Sequence, residues 1–289
     1  MPSSDSVAET ERHNTVVQER AVARRRLNVI MSYEEQAVGS FSGKTVLVTG
    51  GGSGIGRATA LALARQGAQV IVTGVDEAAG TETAGRIAAD GGIASYVRTD
   101  LTRDDEIDAL FSRIDREHGK LDCAFNNAGV GGMPTAILDA PVALFDQVFA
   151  INSRSIWLCM QGELRLMSGR RGSTILNNSS VHGTLGMPGH SAYVASKHAV
   201  IGMTKAVALE MAPAGIRVNC LCPGATKTAM FSRWAQTVPD VDRILKDMIP
   251  LGRAAEPGEA AAAALWLLSD SSSYVTGQTI IVDGGFSIV

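Results

Sequence analysis

Thr49-Gly50-Gly51-Gly52-Ser53-Gly54-Ile55-Gly56 follows an apolar run, Thr45–Thr49, and leads into a helix-patterned stretch, Arg57–Gln66, that ends at Gly67. Glycines let a backbone turn tightly and come close to a pyrophosphate, and the helix that follows offers N–H donors and the positive end of its dipole. A glycine run alone is often only a loop. Set between a strand and a helix, this one reads as a dinucleotide site. It is not a P-loop, because no Gly-Lys-Ser/Thr follows, and its spacing departs from the usual Rossmann fingerprint.

Outward from that turn, apolar runs alternate with helical stretches such as Asp104–Glu117. After Thr45–Thr49 the runs are Gln69–Thr73, Ser95–Asp100, Asp122–Asn126, Thr174–Asn178, Arg217–Leu221 and Thr279–Val282. Most are too apolar to leave one face wet, as expected of central strands in a parallel sheet covered on both sides. The expected fold is α/β: a single doubly wound Rossmann-type domain over 41–289, with a seven-stranded parallel sheet and helices on both faces. Residues 1–40 are rich in Glu and Arg, carry Arg24-Arg25-Arg26 and lack a sustained apolar face, so they read as a flexible extension. Met31 offers an alternative start.

The 289 residues are 45% hydrophobic and 19% charged, a soluble balance with material for a large core. With 26 Lys+Arg against 29 Asp+Glu, the net charge of −3 argues against nucleic acid or an anionic membrane as partner. The longest apolar run, Ala260–Leu268, is too short to span a bilayer, and Met1 to Gln18 lacks a secretory core, so a cytoplasmic protein is expected. Cys123, Cys159, Cys220 and Cys222 stand among apolar neighbours and read as buried free thiols, with no metal site expected.

The Thr-Gly-x-x-x-Gly-x-Gly spacing resembles the compact branch of the short-chain dehydrogenase/reductase family, and further motifs fall in that family's order. Asn126-Asn127-Ala128-Gly129 follows the fourth run, Asn152 comes next, and Ser180 precedes Tyr193-Val194-Ala195-Ser196-Lys197 by 13 residues at its tyrosine. Pro223-Gly224 ends the sixth run, Thr228 follows, and Asp283-Gly284-Gly285 closes the chain.

A free tyrosine has a pKa near ~10, and an ammonium one helical turn away would lower it by favouring phenolate. The resemblance then implies the roles: Tyr193 transfers the proton, Lys197 lowers its pKa and holds the nicotinamide ribose, Ser180 binds the substrate oxygen, and Asn152 positions a water. It also implies that Gly50, Ser53, Gly54, Ile55 and Gly56 line the pyrophosphate and ribose. Asp100 and Leu101 would flank adenine, with Asn127, Ala128 and Gly129 beside its ribose, and Pro223, Gly224, Thr226 and Thr228 would meet the pyrophosphate or carboxamide.

Three positions depart from the family pattern. Gly74 stands where an NAD-selecting acid is usual, and neither Val75 nor Ser53 supplies the base of NADP users. Asp76 is either a substitute ribose ligand or an N-cap for the next helix. A 2′-phosphate needs a cation, so NAD is the expected cofactor.

On the substrate side, Ala225–Arg253 is the segment that lids the substrate in this family, carrying Met230, Phe231, Trp234 and Met248. With Ser180, His182, Met187, His190, Tyr193 and the stretch from Val130 to Met133, these suit an apolar cyclic or aromatic molecule. The expected activity interconverts a secondary alcohol and a ketone. An NADPH-dependent 3-oxoacyl reductase and a dinucleotide-sensing binding protein are the alternatives. The apolar C-terminus, with Phe286, Ile288 and Val289, points to subunit contact, and compact members of the family commonly form homotetramers (or dimers).

Overall fold

The computed structural model describes residues 41–132, 134–236 and 238–289. The expected extension at 1–40, with its arginine triplet and Met31, and also Met133, lies outside the described residues.

Seven strands form one parallel sheet in the order β3-β2-β1-β4-β5-β6-β7. They are β1 (Thr45–Thr49), β2 (Gln69–Gly74), β3 (Ile93–Arg98), β4 (Cys123–Asn126), β5 (Thr174–Asn178), β6 (Arg217–Pro223) and β7 (Thr279–Val282). The crossovers are α1 (Gly54–Arg65), α2 (Glu77–Ala89), α3 (Asp104–His118), a pair α4 (Val142–Phe149) and α5 (Ser155–Met167), then α6 (Ser191–Met211). After β6 come α7 (Ala229–Ala235), α8 (Val241–Met248) and α9 (Pro257–Leu268).

Strand alternation divides the core. Leu47, Ala124, Ile175 and Val218 face one side with Phe111, Met160 and Val200 from α3, α5 and α6. Val46, Val48, Phe125 and Leu221 face the other with Leu63, Ile87 and Leu267 from α1, α2 and α9. Each large side chain so buried contributes about 2–3 kcal/mol of transfer free energy. The strand order reverses between β1 and β4, and a crevice opens there at the carboxyl ends of the strands, where such sheets bind ligands.

Several expected boundaries moved, most of them by one or two residues, as at the end of β6, which runs to Pro223 rather than Leu221. The third strand begins at Ile93, in register with Gln69 of β2, and ends at Arg98 rather than Asp100. Gly91, with φ +82°, turns the chain out of α2 early enough to start pairing there. Helix α1 begins at Gly54, so Gly54, Ile55 and Gly56 form its first turn rather than a loop before it. The four cysteines are buried and unpaired, as expected.

Arg217, buried at the start of β6, ties the end of α9 to the sheet. Its guanidinium donates to the carbonyls of Leu267 (3.0 Å) and Ser269 (2.9 Å) and to Ser272 Oγ (2.9 Å). Those carbonyls have no partner within the helix. Ser272 Oγ also donates to both carbonyls, at 3.0 Å each. Arg217→Met removes the guanidinium's share of this network, and should lower unfolding free energy by about 1–3 kcal/mol, read as a lower urea midpoint at unchanged slope.

Candidate active site

The glycine turn is built without room for side chains. Gly50 sits at φ +62°, and a Cβ there would lie 2.9 Å from Ala128 Cα. A Cβ on Gly56 would fall 2.4 Å from the Gly50 carbonyl and 2.5 Å from Asn127 Nδ2. The Asn127 amide closes this junction, donating to the carbonyls of Thr49 (3.0 Å) and Gly50 (3.2 Å). Thr49 Oγ1 in return accepts the backbone N–H of Asn127 (2.9 Å) and of Ala128 (3.1 Å). Ser53, at the N-cap of α1, keeps its hydroxyl off the helix amides. A bare backbone cradle that ends on a helix N-terminus fits a dinucleotide pyrophosphate.

The four expected catalytic residues converge on the ends of β4 and β5. Asn152 lies in a single π-turn, Ala150–Arg154, joining α4 to α5. Such turns mark functional sites and here aim a buried side chain inward. Asn152 Oδ1 accepts Val130 N (2.8 Å), and its Nδ2 donates to Val130 O (2.9 Å) and Ser196 Oγ (3.1 Å). The side chain thus clamps the segment after β4 onto α6. Ser180 begins the turn beyond β5, and its hydroxyl accepts the His182 N–H at 3.2 Å and bonds the Tyr193 phenol.

Lys197 is buried and donates from Nζ to the Asn178 carbonyl at 2.9 Å, 5.9 Å from the centre of the Tyr193 ring. Burial pulls its pKa down to about 8. Burial also pushes the Tyr193 phenol up, and the Ser180 hydrogen bond only partly opposes this. The sequence led to the opposite expectation, a phenol lowered by Lys197. The ammonium is spent on a carbonyl and is itself desolvated, so the desolvation of Tyr193 wins.

Other expected residues divide by what they touch. Asp76 accepts Ala79 N at 3.0 Å and caps α2, the N-cap alternative. Asp100 is turned onto Thr102, taking its N–H at 2.9 Å and its hydroxyl at 2.7 Å, while Leu101 is buried in the core with Ile71 and Ile107. Thr228 touches the cradle, since a Cβ on Gly54 would lie 2.9 Å from its methyl, and it caps α7. Thr226 Oγ1 donates to the Gly224 carbonyl at 3.1 Å, and Gly224 packs on Asp283 beside Pro223. Gly129 lies between Asn152 Oδ1 and Lys197 Nζ, 3.1 and 3.4 Å from where its Cβ would be.

A cavity of about 340 Å³ opens against Tyr193, lined by Gly131, Leu144, Phe145, Val148 and His190 among others. Of the expected lid residues, Met230 reaches over the site, its Sδ 3.3 Å from where a Gly131 Cβ would be. Phe231 instead packs into a small separate core with Leu245, Ile249 and Phe286, and Trp234 tilts against it at 5.5 Å. His182 is half-buried with Nδ1 unpartnered among the described residues, its ring edge-on to Phe286 at 6.0 Å, and burial holds its pKa down. His190 Nδ1 bonds the Pro188 carbonyl at 3.2 Å, and Met187 sits partly buried in the same turn.

A model described as enoyl-(acyl carrier protein) reductase matches residues 50–287. A 2,5-dichloro-2,5-cyclohexadiene-1,4-diol dehydrogenase of Sphingobium indicum is 42% identical over 86% of this chain and 98% of its own. An A-factor type gamma-butyrolactone 1'-reductase of Streptomyces virginiae is 40% identical over 87% and 98%. A solved short-chain type dehydrogenase/reductase from Mycobacterium marinum superposes with a TM-score of 0.81 at 37% identity, over 86% of this chain and 97% of that one. The chain belongs to the short-chain dehydrogenase/reductase family. It is thus an oxidoreductase of a family that uses a nicotinamide dinucleotide.

In this short-chain dehydrogenase/reductase, part of the frame escaped the sequence reading. Asn178 carries both the Lys197 ammonium on its carbonyl and the Asn127 side chain on its amide (3.1 Å). Ser179 Oγ donates to the Lys197 carbonyl at 2.8 Å, and Ser196 takes Asn152. The signal was the paired Asn177-Asn178 ending a fully buried strand, directly after Ile175-Leu176. Gly56→Ala should weaken NADH binding by about tenfold or more, since displacing the cradle by even 1.4 kcal/mol has that effect. Gly202→Ala, where an added Cβ meets nothing within 4 Å, should leave NADH titration by nicotinamide fluorescence unchanged.

Proposed function

We propose that this protein interconverts a secondary alcohol and a ketone on a small apolar cyclic molecule, with NAD(H) as cofactor and Tyr193 as the proton-transfer residue. The observation that carries the reading is the meeting of Ser180, Tyr193 and Lys197 between the glycine cradle and an apolar cavity.

Ser180 holds the substrate oxygen and steadies the charge that develops on it. In ketone reduction the Tyr193 O–H gives its proton to that oxygen, and in alcohol oxidation the phenolate takes it back. Lys197, held by Asn178, stabilises the phenolate once the site excludes water. Asn152 keeps the segment after β4 in place. The bound nicotinamide supplies or accepts the hydride.

The cavity lies near the lower end of the roughly 300–1,000 Å³ usual for small-molecule sites, and suits a single ring better than a long chain. The cyclohexadienediol substrate in the Sphingobium relative's name is of that kind. For the cofactor, the rim at the end of β2 carries exposed Val75, and its nearest cations are engaged. Arg57 pairs with Glu82 at 2.8 Å and Arg98 with Glu106 at 3.0 Å. A 2′-phosphate would find no free cation there among the described residues, which supports NAD over NADP. Exposed Trp266, Ile281, Ile288 and Val289 accord with a homotetramer or dimer. No described helix is long and apolar enough to cross a membrane.

Parallel titrations should give a lower Kd for NADH than for NADPH, and the reverse order would overturn the cofactor reading. Oxidation of alicyclic secondary alcohols with NAD should rise with pH on the alkaline side, because a phenol whose pKa is raised must lose its proton to act as base. Tyr193→Phe should lower kcat/KM by about 10²–10⁴-fold and leave the NADH Kd unchanged. Full residual turnover would remove Tyr193 from its role.

A further inference from the structure

Glu163 of α5 is fully buried, and no described cation pairs with it. Among the described residues its one donor is the Asn126 amide, 3.2 Å from Oε2. The same amide's other hydrogen goes to Asn177 Oδ1 at 3.0 Å, and Asn177 in turn donates to Thr204 Oγ1 at 3.0 Å. Two buried oxygens in this cluster lack a partner among the described residues: Glu163 Oε1 and Asn126 Oδ1. They are the two atoms that a carboxylic acid facing an amide would join. The amide N–H donates to one carboxyl oxygen, and the acid O–H donates back to the amide oxygen.

We propose that Glu163 is a neutral carboxylic acid in the folded chain, paired reciprocally with Asn126, and that this pair positions the end of β4 beneath the cofactor cradle. Asn126 immediately precedes Asn127, the side chain that braces Gly50. Asn177 immediately precedes Asn178, whose carbonyl holds Lys197. By strand alternation Asn126 and Asn177 lie on the opposite face of the sheet from Asn127 and Asn178. The acid–amide cluster lies on the face of the sheet covered by α5 and α6, one residue short of the strand ends that carry the site.

An ionised carboxylate in this place would have a single neutral donor and no counter-charge, so burial pushes its pKa from 4.5 to about 8. The elements packed on it bring Asn126 from β4, Asn177 from β5 and Phe111 from α3 (against the neighbouring Gly162), with Thr204 of α6 beyond Asn177. Among the described residues, the one titratable group coupled to it is the Cys159 thiol on its own helix, itself pushed up by burial and by Glu163. Because the folded value lies above the unfolded one, the contribution to stability is complete below about 4.5 and is lost as pH rises through about 8.

The test is an infrared titration of the whole protein in D2O, with Glu163→Gln as reference. Gln keeps both hydrogen bonds of the pair and cannot ionise. At about pH 6.5 the wild type should show the carbonyl stretch of a protonated carboxylic acid, fading towards about pH 9.5 and missing from Glu163→Gln. A wild type without that band at the lower pH overturns the assignment, whether or not the variant folds.

The positioning role is read by NADH titration. Between those two pH values the wild-type Kd should rise about fivefold more than that of Glu163→Gln, the lower end of ordinary coupling between sites. Equal pH dependence in the two proteins overturns the positioning role. This arm rests on the cofactor reading: a failure of both proteins to bind NADH would sink that reading, while the infrared band still decides the state of Glu163.

Discussion

The junction of Gly50, Gly56 and Asn127 is the constraint on which the rest of the site depends. The Gly50 carbonyl and the Asn127 amide occupy the volume that a side chain on Gly56 would need. Strand β1 can therefore turn straight into α1 with its backbone bare, and the end of β4 can lie against that turn. From Asn127 the contacts run on to Asn178, and from Asn178 to Lys197. Three strand ends and α6 are held in one hydrogen-bonded layer. A shift of a few tenths of an ångström at the glycines would reach the ammonium through two side chains.

The same layer sets the electrostatics. Lys197, Tyr193 and Glu163 are ionisable groups taken out of water, and each has its charged form disfavoured by burial. Among the described residues, none of them sits in an ion pair with a carboxylate, lysine or arginine. They are held by carbonyls, hydroxyls and amides, which orient a proton without trapping it as an ion pair would. A phenol near an ammonium that is close to losing its own proton can move in either direction as substrate and cofactor exclude water.

Around this rigid floor the substrate side is assembled from separate pieces. Met230 leans over Gly131, while Phe231 is drawn into a small core of its own with Leu245, Ile249 and Phe286. The cavity wall comes from the segment between β4 and α4, from α4 itself and from residues 189–193 at the start of α6. The seven-strand sheet and its helices thus position the proton-transfer groups, and the connections shape what reaches them.

Local sequence alone determined the strand–glycine turn–helix unit, the alternation of buried runs with helices, and the spacing that puts Tyr193 and Lys197 on one helical face. These follow from short-range periodicity and from the freedom of glycine, and they survive folding because each is decided within a few residues. Tertiary structure decided that Asp76 caps a helix, that Asp100 closes on Thr102 and that Phe231 packs with Leu245, Ile249 and Phe286. It also decided that Tyr193 is raised rather than lowered, and that Glu163, one acid among 29 in the sequence, is buried in α5 without a counter-charge among the described residues. The reason is physical: burial and the identity of a hydrogen-bond partner come from chain segments distant in sequence, and desolvation of a charge is a property of the packed surroundings rather than of the residue.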